Sequence, residues 1–372
     1  MLTKEPQIPG ISLNQIVPIQ ELELLTGVPV FLGLASSDNN EPKKLTLRTQ
    51  FDQHFTKVKG YLRDVVKGFF ENGGRICYVI PLINNSLDTL HQGLETSEVL
   101  ETDLVCVPDI MLDAEGKIIS TLEEIIQRQK IILEHCEEMS DRFAILDAYI
   151  QEEELNRQRQ ALSSHNGALY APWLKIEHRP DFIPPCGHIA GMYASCDRAV
   201  GVHKAPANIQ LEGVLNLSSS LTATQQEQLN PKIGAGINCI RSLRGRGMRV
   251  WGVRTLSPQA EWQYINVRRL FLTFGRWANR NLADTVFEPN AFPLWLRLQR
   301  ELSVYCESLW RQGALQGSVP QEAFYVKCDA ETNPPENREV GQVVAEIGLA
   351  PIIPGEFIKL LLVQSNSGIS VT

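Results

Sequence analysis

Three stretches read together decide the fold: DLVCVPD (Asp103–Asp109), STLEEIIQRQKIILEHCEEM (Ser120–Met139) and RFAILDA (Arg142–Ala148). The first and third are short apolar runs with the length of buried strands. The middle one repeats Leu122, Ile125, Ile126, Ile132, Leu133, Cys136 and Met139 at helical intervals. Ser120 and Glu123 have the spacing of a capping box at its start. Two parallel strands need a crossover between them, and a helix of this length supplies one. The reading is therefore an α/β fold with a largely parallel sheet covered by helices.

Working outward toward the N-terminus, Arg75–Leu82 is a strand rich in β-formers. Phe51–Phe70 has helical spacing, and Gly73-Gly74 closes that helix after Asn72. Val28–Leu34 opens the pattern as a short apolar strand. Before it, residues 1–26 are punctuated by Pro6, Pro9, Gly10 and Pro18 and show no helical period. They are expected to form an extended arm that lies on something else, with Ile11, Leu13, Ile16 and Val17 as its strand residues.

Toward the C-terminus, Gln151–Gln160 reads as a polar, solvated helix and Tyr170–Ile176 as one strand. Pro184–Ala194 begins a helix after a Pro-Pro turn. Val214–Asn230 is polar and irregular. Ile237–Leu243 and Arg249–Arg254 form a strand pair joined by Gly245-Arg246-Gly247. Two long amphipathic helices, Glu261–Arg280 and Phe292–Trp310, follow a boundary near Ser257-Pro258. The chain ends β-like, in Val340–Ile347 and Glu356–Val363. The expected organisation is an arm at 1–26, an α/β domain at 27–257, an α+β domain at 258–364 and a second arm at 365–372, with Ile369 and Val371 as strand residues.

At 372 residues, 43% hydrophobic and 21% charged, the chain has the composition of a globular protein of about two domains. A net charge of −8 argues against a general nucleic-acid binder, which needs clustered Lys and Arg. The longest apolar run, Phe357–Val363, is too short to span a bilayer, so no stable membrane insertion is expected. No apolar h-region follows Met1, and folding in the cytoplasm is the expectation. Eight scattered cysteines form no Cys-x-x-Cys pair and read as buried small hydrophobes, not as disulfides or metal ligands.

Candidate chemistry is sparse. Gly234-Ala235-Gly236 and Gly245-Arg246-Gly247 match neither the phosphate-loop nor the dinucleotide spacing, and read as turns. Ser195, Asp197 and His203 are near one another in sequence, but there is no Gly-x-Ser-x-Gly elbow, and a triad needs separate loops. Arg241, Arg244, Arg246 and Arg249 lack interleaved aromatics and read as a protein-facing or solvated surface. Arg269, Arg276 and Arg280 fall on one face of the first long helix. Two readings of that face stand side by side: a core helix with a solvated side, or a basic face that docks on an acidic partner. No catalytic site, cofactor or metal is expected.

Further runs, in order, resemble a known family. Pro29-Val30-Phe31-Leu32-Gly33 and Val66–Val79 resemble its opening, Pro172-Trp173, Pro184–Tyr193 and Asp197–Asn208 its middle. Arg249–Thr255, Phe287-Glu288-Pro289-Asn290, Leu309–Gly317, Cys328-Asp329, Ile347–Pro351 and Pro354–Ile358 resemble its end. The family is the contractile phage tail sheath. The likeness implies an outer subtilisin-like α/β domain without a protease triad and a C-terminal α+β domain facing an inner tube. It also implies extended terminal arms that add strands to neighbouring subunits. The implied function is a structural subunit of a contractile injection system, polymerised as stacked hexameric rings into a helical sheath. Implied partners are copies of itself, the tube protein, and baseplate and terminator proteins. Tube-facing candidates are Arg269, Arg276 and Arg280, or Arg297, Arg300 and Arg311 on the next helix. Pro9-Gly10-Ile11 lacks the family's acidic follow-on and His203 replaces a frequent aromatic, features of a specialised paralogue. The alternatives are a capping or docking adaptor and a hydrolase on the same fold.

Overall fold

The three deciding stretches become a strand, a helix and a strand of one parallel sheet. The structure is a computed structural model that describes residues 24–36, 41–355, 362–365 and 368–371. Ile11, Leu13, Ile16 and Val17 lie outside the described residues. The first half runs β1 (Pro29–Ser36), β2 (Lys43–Leu45), α1 (Thr49–His54), β3 (Lys57–Val58), α2 (Leu62–Glu71), β4 (Cys77–Leu82) and α3 (Leu87–Ser97). Next come β5 (Leu104–Cys106), α4 (Leu122–Met139), β6 (Phe143–Asp147), α5 (Leu155–Ala161), β7 (Gly167–Ala171) and β8 (Leu174–Ile176). Then follow α6 (Cys186–Ala199), β9 (Val214–Leu217), α7 (Ala223–Leu229), β10 (Ile237–Leu243) and β11 (Gly247–Trp251).

The main sheet has the order β11-β10-β7-β6-β5-β1-β4-β2, and β3 pairs the far end of β1. From β10 to β4 every neighbouring pair is parallel; β2 and β11 are antiparallel edges. β1 lies between β4 and β5, which explains its unbroken burial from Pro29 to Ala35. Helix α6 packs on α2 at close range because Gly187 and Gly191 sit over that helix. A Cβ on Gly187 would lie 2.1 Å from the Val65 carbonyl oxygen, and one on Gly191 2.4 Å from that of Phe69. The Gly-x-x-x-Gly spacing thus sets how near the two backbones come. The α6 N-terminus is fixed by Asp147 at the end of β6, whose Oδ1 accepts from the Cys186 amide at 2.8 Å.

The second half has α8 (Ile265–Asn281), α9 (Phe292–Arg311), α10 (Pro320–Ala323), β12 (Phe324–Lys327), α11 (Pro335–Glu339) and β13 (Glu346–Leu349). A hairpin of β14 (Leu362–Ser365) and β15 (Gly368–Val371) ends it. Buried apolar side chains form two clusters. The large one fills both faces of the main sheet; the smaller joins α8 and α9 to β12 and β13. Helix α8 serves both: Ile265 and Leu272 enter the large cluster, Leu270 and Phe274 the small one. The sequence boundary at 257–258 is therefore bridged by packing, and Val202 crosses it in the other direction. All eight cysteines are buried and free, as their scatter implied.

Several local expectations are corrected. Phe51–Phe70 is two helices, because Lys57 and Val58 leave helical form to pair with Ser36 and Ala35. Tyr170–Ile176 is two strands in different sheets; Pro172 has no amide to continue the ladder, and β8 pairs with β9 instead. Val214–Asn230 is ordered as β9 and α7, the latter with a capping box between Thr222 and Gln225. The box expected at Ser120 and Glu123 does not form. Helix α4 begins one residue later, with Thr121 at its N-cap and no side-chain cap; Glu123 pairs with Arg157 instead. The first long helix starts at Ile265, after a 3-10 turn at Ala260–Trp262. Residues 340–345 are not a strand. The boundary placed between 364 and 365 falls inside β14, so the chain end is a hairpin, not a lone arm.

Candidate subunit interfaces

The sequence nominated two basic helix faces, two strand-forming ends and a doubtful triad, and the structure treats each differently. Helix α8 passes between the two clusters at its N-terminal half and emerges at its C-terminal half. Arg269 is on the enclosed part. It is buried, and its guanidinium donates to Asp197 Oδ1 at 2.8 Å and to Asp103 Oδ2 at 2.9 Å. Asp103 also accepts from the Gly27 and Val28 amides, at 3.0 and 2.6 Å. Burial alone would lower the Arg269 pKa, but Asp197 and then Asp103 hold it above its ordinary value. Burial raises the Asp197 carboxyl, with Arg269 opposing. Arg269 is thus a clamp between segments at 27–28, 103, 197 and 269, and it is not available to a tube. That is a correction to its nomination, and its cause is tertiary.

Arg276, two turns on, is half-buried and donates to the Leu25 carbonyl at 3.1 Å. Arg280 is exposed. On α9, Arg297 is ringed by Asp284, Glu288 and Glu301 at 2.5 to 2.9 Å. Arg311 pairs with Glu307 one turn before it, and Arg300 is exposed. The six nominated arginines do not form one surface. Arg280, Arg300 and Arg311 are exposed, and of these three only Arg311 forms an ion pair among the described residues.

The end hairpin pairs Leu362 with Val371 and Gln364 with Ile369. Ile369 and Val371 are therefore in a strand, as nominated, with its pairing partner inside the chain. Each strand of a two-stranded hairpin keeps one unpaired edge among the described residues, the geometry that accepts a further strand. The same holds for β12 and β13.

Ser195 and Asp197 are both on α6, two residues apart, and so face different directions. The Asp197 carboxylate is engaged by Arg269, and the His203 carbonyl accepts from Asn266. The trio is not assembled as a triad. The crevice at the carboxyl ends of β1 and β5, where open parallel sheets place ligands, is filled by the chain itself. Buried Asp109 accepts from the Leu34 amide at 2.7 Å and the Tyr61 amide at 2.6 Å. Gly245 and Gly247 form the β10–β11 turn. Arg246 and Arg249 beside it bond Asn208, so part of that basic run faces the protein's own backbone. A cleft of about 760 Å³ opens between the two clusters, lined among others by Val200, Lys204, Trp251, Asn266, Gly313 and Ile352. Sequence reading missed it, because its walls come from six separate segments.

Comparison with known proteins agrees with this architecture. The phage tail sheath protein central domain matches residues 86–256. A presumptive prophage major tail sheath protein of Pseudomonas aeruginosa (strain UCBPP-PA14) is 24% identical over 182 residues, covering 46% of this chain and 44% of that protein. The chain thus matches less than half the length of that curated relative. Solved structures match almost end to end. A chain of the anti-feeding prophage baseplate, 6-fold symmetrised, is 28% identical with a TM-score of 0.80, covering 97% of this chain and 100% of its own. A chain of an extracellular contractile injection system, the PVC sheath complex in its contracted state, is 27% identical with a TM-score of 0.76, covering 98% and 99%.

Proposed function

The chain belongs to the contractile phage tail sheath family, and on that premise we propose that it is a structural, non-enzymatic subunit of stacked hexameric rings around an inner tube. Contraction of that lattice drives the tube through a target envelope. The observation that carries this reading is the match over nearly the full chain to a subunit of a contracted sheath complex. The 27–257 region is the outer, subtilisin-like domain and the 258–364 region faces the tube. The N-terminal arm and the end hairpin join neighbours by strand addition, so that subunits stay tethered while they rotate as rigid bodies. Energy for firing is held in the extended lattice, and no cofactor is required. Baseplate and terminator proteins close its two ends, and the particle assembles in the cytoplasm.

Tube contact in this reading rests on Arg280 at the end of α8 or, as the alternative face, on Arg300 and Arg311 of α9. Exposed charge pairs are worth roughly 0–1 kcal/mol each. Repeated over every subunit they hold a tube and release it together, and they weaken with salt. Electron microscopy of the purified chain tests the proposal: long hollow tubes are expected. Discrete rings that never lengthen would favour a capping or docking adaptor, a second reading that the match to a baseplate chain supports.

A further inference from the structure

The connection between α8 and α9 carries the most exposed large hydrophobic side chain among the described residues. Phe287 is 101% exposed, and its φ is +73°, a left-handed conformation that a bulky side chain rarely adopts. Val286 beside it and Phe292 at the start of α9 are exposed too. The loop is nevertheless held firmly. Arg297 ties Asp284 and Glu288 to α9, Asn290 accepts from the Trp295 indole at 2.8 Å, and Asn290 donates to the Gln342 carbonyl at 2.9 Å. A strained backbone bearing a fully exposed aromatic on a braced loop is the arrangement of a pre-organised binding anchor.

The same molecule has a receptor of matching character. The interdomain cleft is open and has the exposed apolar groups Val200, Trp251 and Ile352 in its wall, with Lys204 among them. Lys204 would meet Glu288, already paired with Arg297, as a second cation. Position decides who can fill it. The cleft touches Asn266 at the start of α8 and Gly313 just past α9, whereas Phe287 is at the other end of that helix pair. Helix α9 has 20 residues, so the two features are about 30 Å apart. The loop cannot reach its own cleft, but a second copy displaced along the helix pair brings the two together. An anchor at one end and a socket at the other make a head-to-tail contact, which propagates an assembly and does not close a dimer.

We propose that the Val286-Phe287-Glu288 tip of one subunit inserts into the cleft of the next. This inference rests on the sheath reading and adds a specific axial contact to it. The first test is Phe287→Gly, compared with the wild-type chain by circular dichroism, thermal melting and electron microscopy. Glycine suits the positive φ, so the monomer should melt at the same temperature or higher while tubes are lost or shortened several-fold. Normal tubes from this variant overturn the inference and leave the sheath reading intact; a wild-type chain that forms no assemblies overturns both. The second test pairs Phe287→Cys with Val200→Cys in the assembled sheath, where the native cysteines are buried. A disulfide-linked ladder of this chain on a non-reducing gel is expected. Tubes that give no ladder, or a cross-link to the tube subunit, overturn it.

Discussion

Arg269 and Asp103, 166 positions apart, meet at 2.9 Å in the interior, between α8 and the strand that the deciding stretch begins. The contact ties the second half of the chain to the first. It also touches the entry of the N-terminal segment, since Asp103 binds the Gly27 and Val28 amides. The backbone at residues 27–28 is thus tied to the junction between the two clusters.

Replacing Arg269 by Met should destabilise the monomer by about 3–5 kcal/mol, because it leaves Asp103 and Asp197 buried without their cation. Urea denaturation followed by circular dichroism measures it. A loss below about 1 kcal/mol would show that water reaches the two carboxylates.

Arg280→Glu with Arg300→Glu should leave monomer stability within about 0.5 kcal/mol, as both positions are exposed. The same double variant should fail to retain the tube, or should contract early, in co-assembly viewed by electron microscopy. Normal extended particles would remove these two arginines as the attachment. Including Arg269 in such a charge reversal would confuse unfolding with lost docking.

Gly187→Ala should destabilise by about 3 kcal/mol or more, since the added carbon would press on the Val65 carbonyl and force α2 and α6 apart. Gly275→Ala, where a Cβ meets nothing within 4 Å, should instead stabilise by about 0.5–1 kcal/mol. The same chemical change is thus expected to have opposite signs, read from the urea midpoints of the two variants.

Asp147 is buried, and burial raises its carboxyl to about 7, against the pull of its bonds to Cys186. The folded state therefore holds the proton more tightly than the unfolded chain. The stability it contributes is complete below about pH 4 and is lost as pH rises through 7, at up to ~1.4 kcal/mol per pH unit. Asp147→Asn keeps the oxygen that caps α6 and cannot ionise. Its stability relative to wild type should rise from pH 5 to pH 8. A constant difference across that range would refute the assignment.

The parallel sheet was legible in the order of apolar runs, because a buried strand must be continuously apolar and a crossover must be long enough to return. The long helices α4, α8 and α9 were legible from their period, within four residues at their ends. Thr222 and Gln225 had the spacing of a capping box, yet no apolar run followed to draw attention to a helix of seven residues. Phe287 was noticed only as part of a resemblance, since neither exposure nor a positive φ is written in residue type.

What the sequence by itself determined is the class of fold and the absence of a recognisable nucleotide or triad motif, because these depend on periodicity and local spacing, together with a resemblance to the tail sheath family carried by short runs in order. What only the tertiary structure decided is the fate of individual charges. Arg269 and Arg280 are on one helical face by arithmetic, but one is enclosed by Asp103 and Asp197 while the other reaches solvent. The difference arises because α8 leaves the space between the two clusters partway along its length. A helix's own period is blind to where its neighbours end.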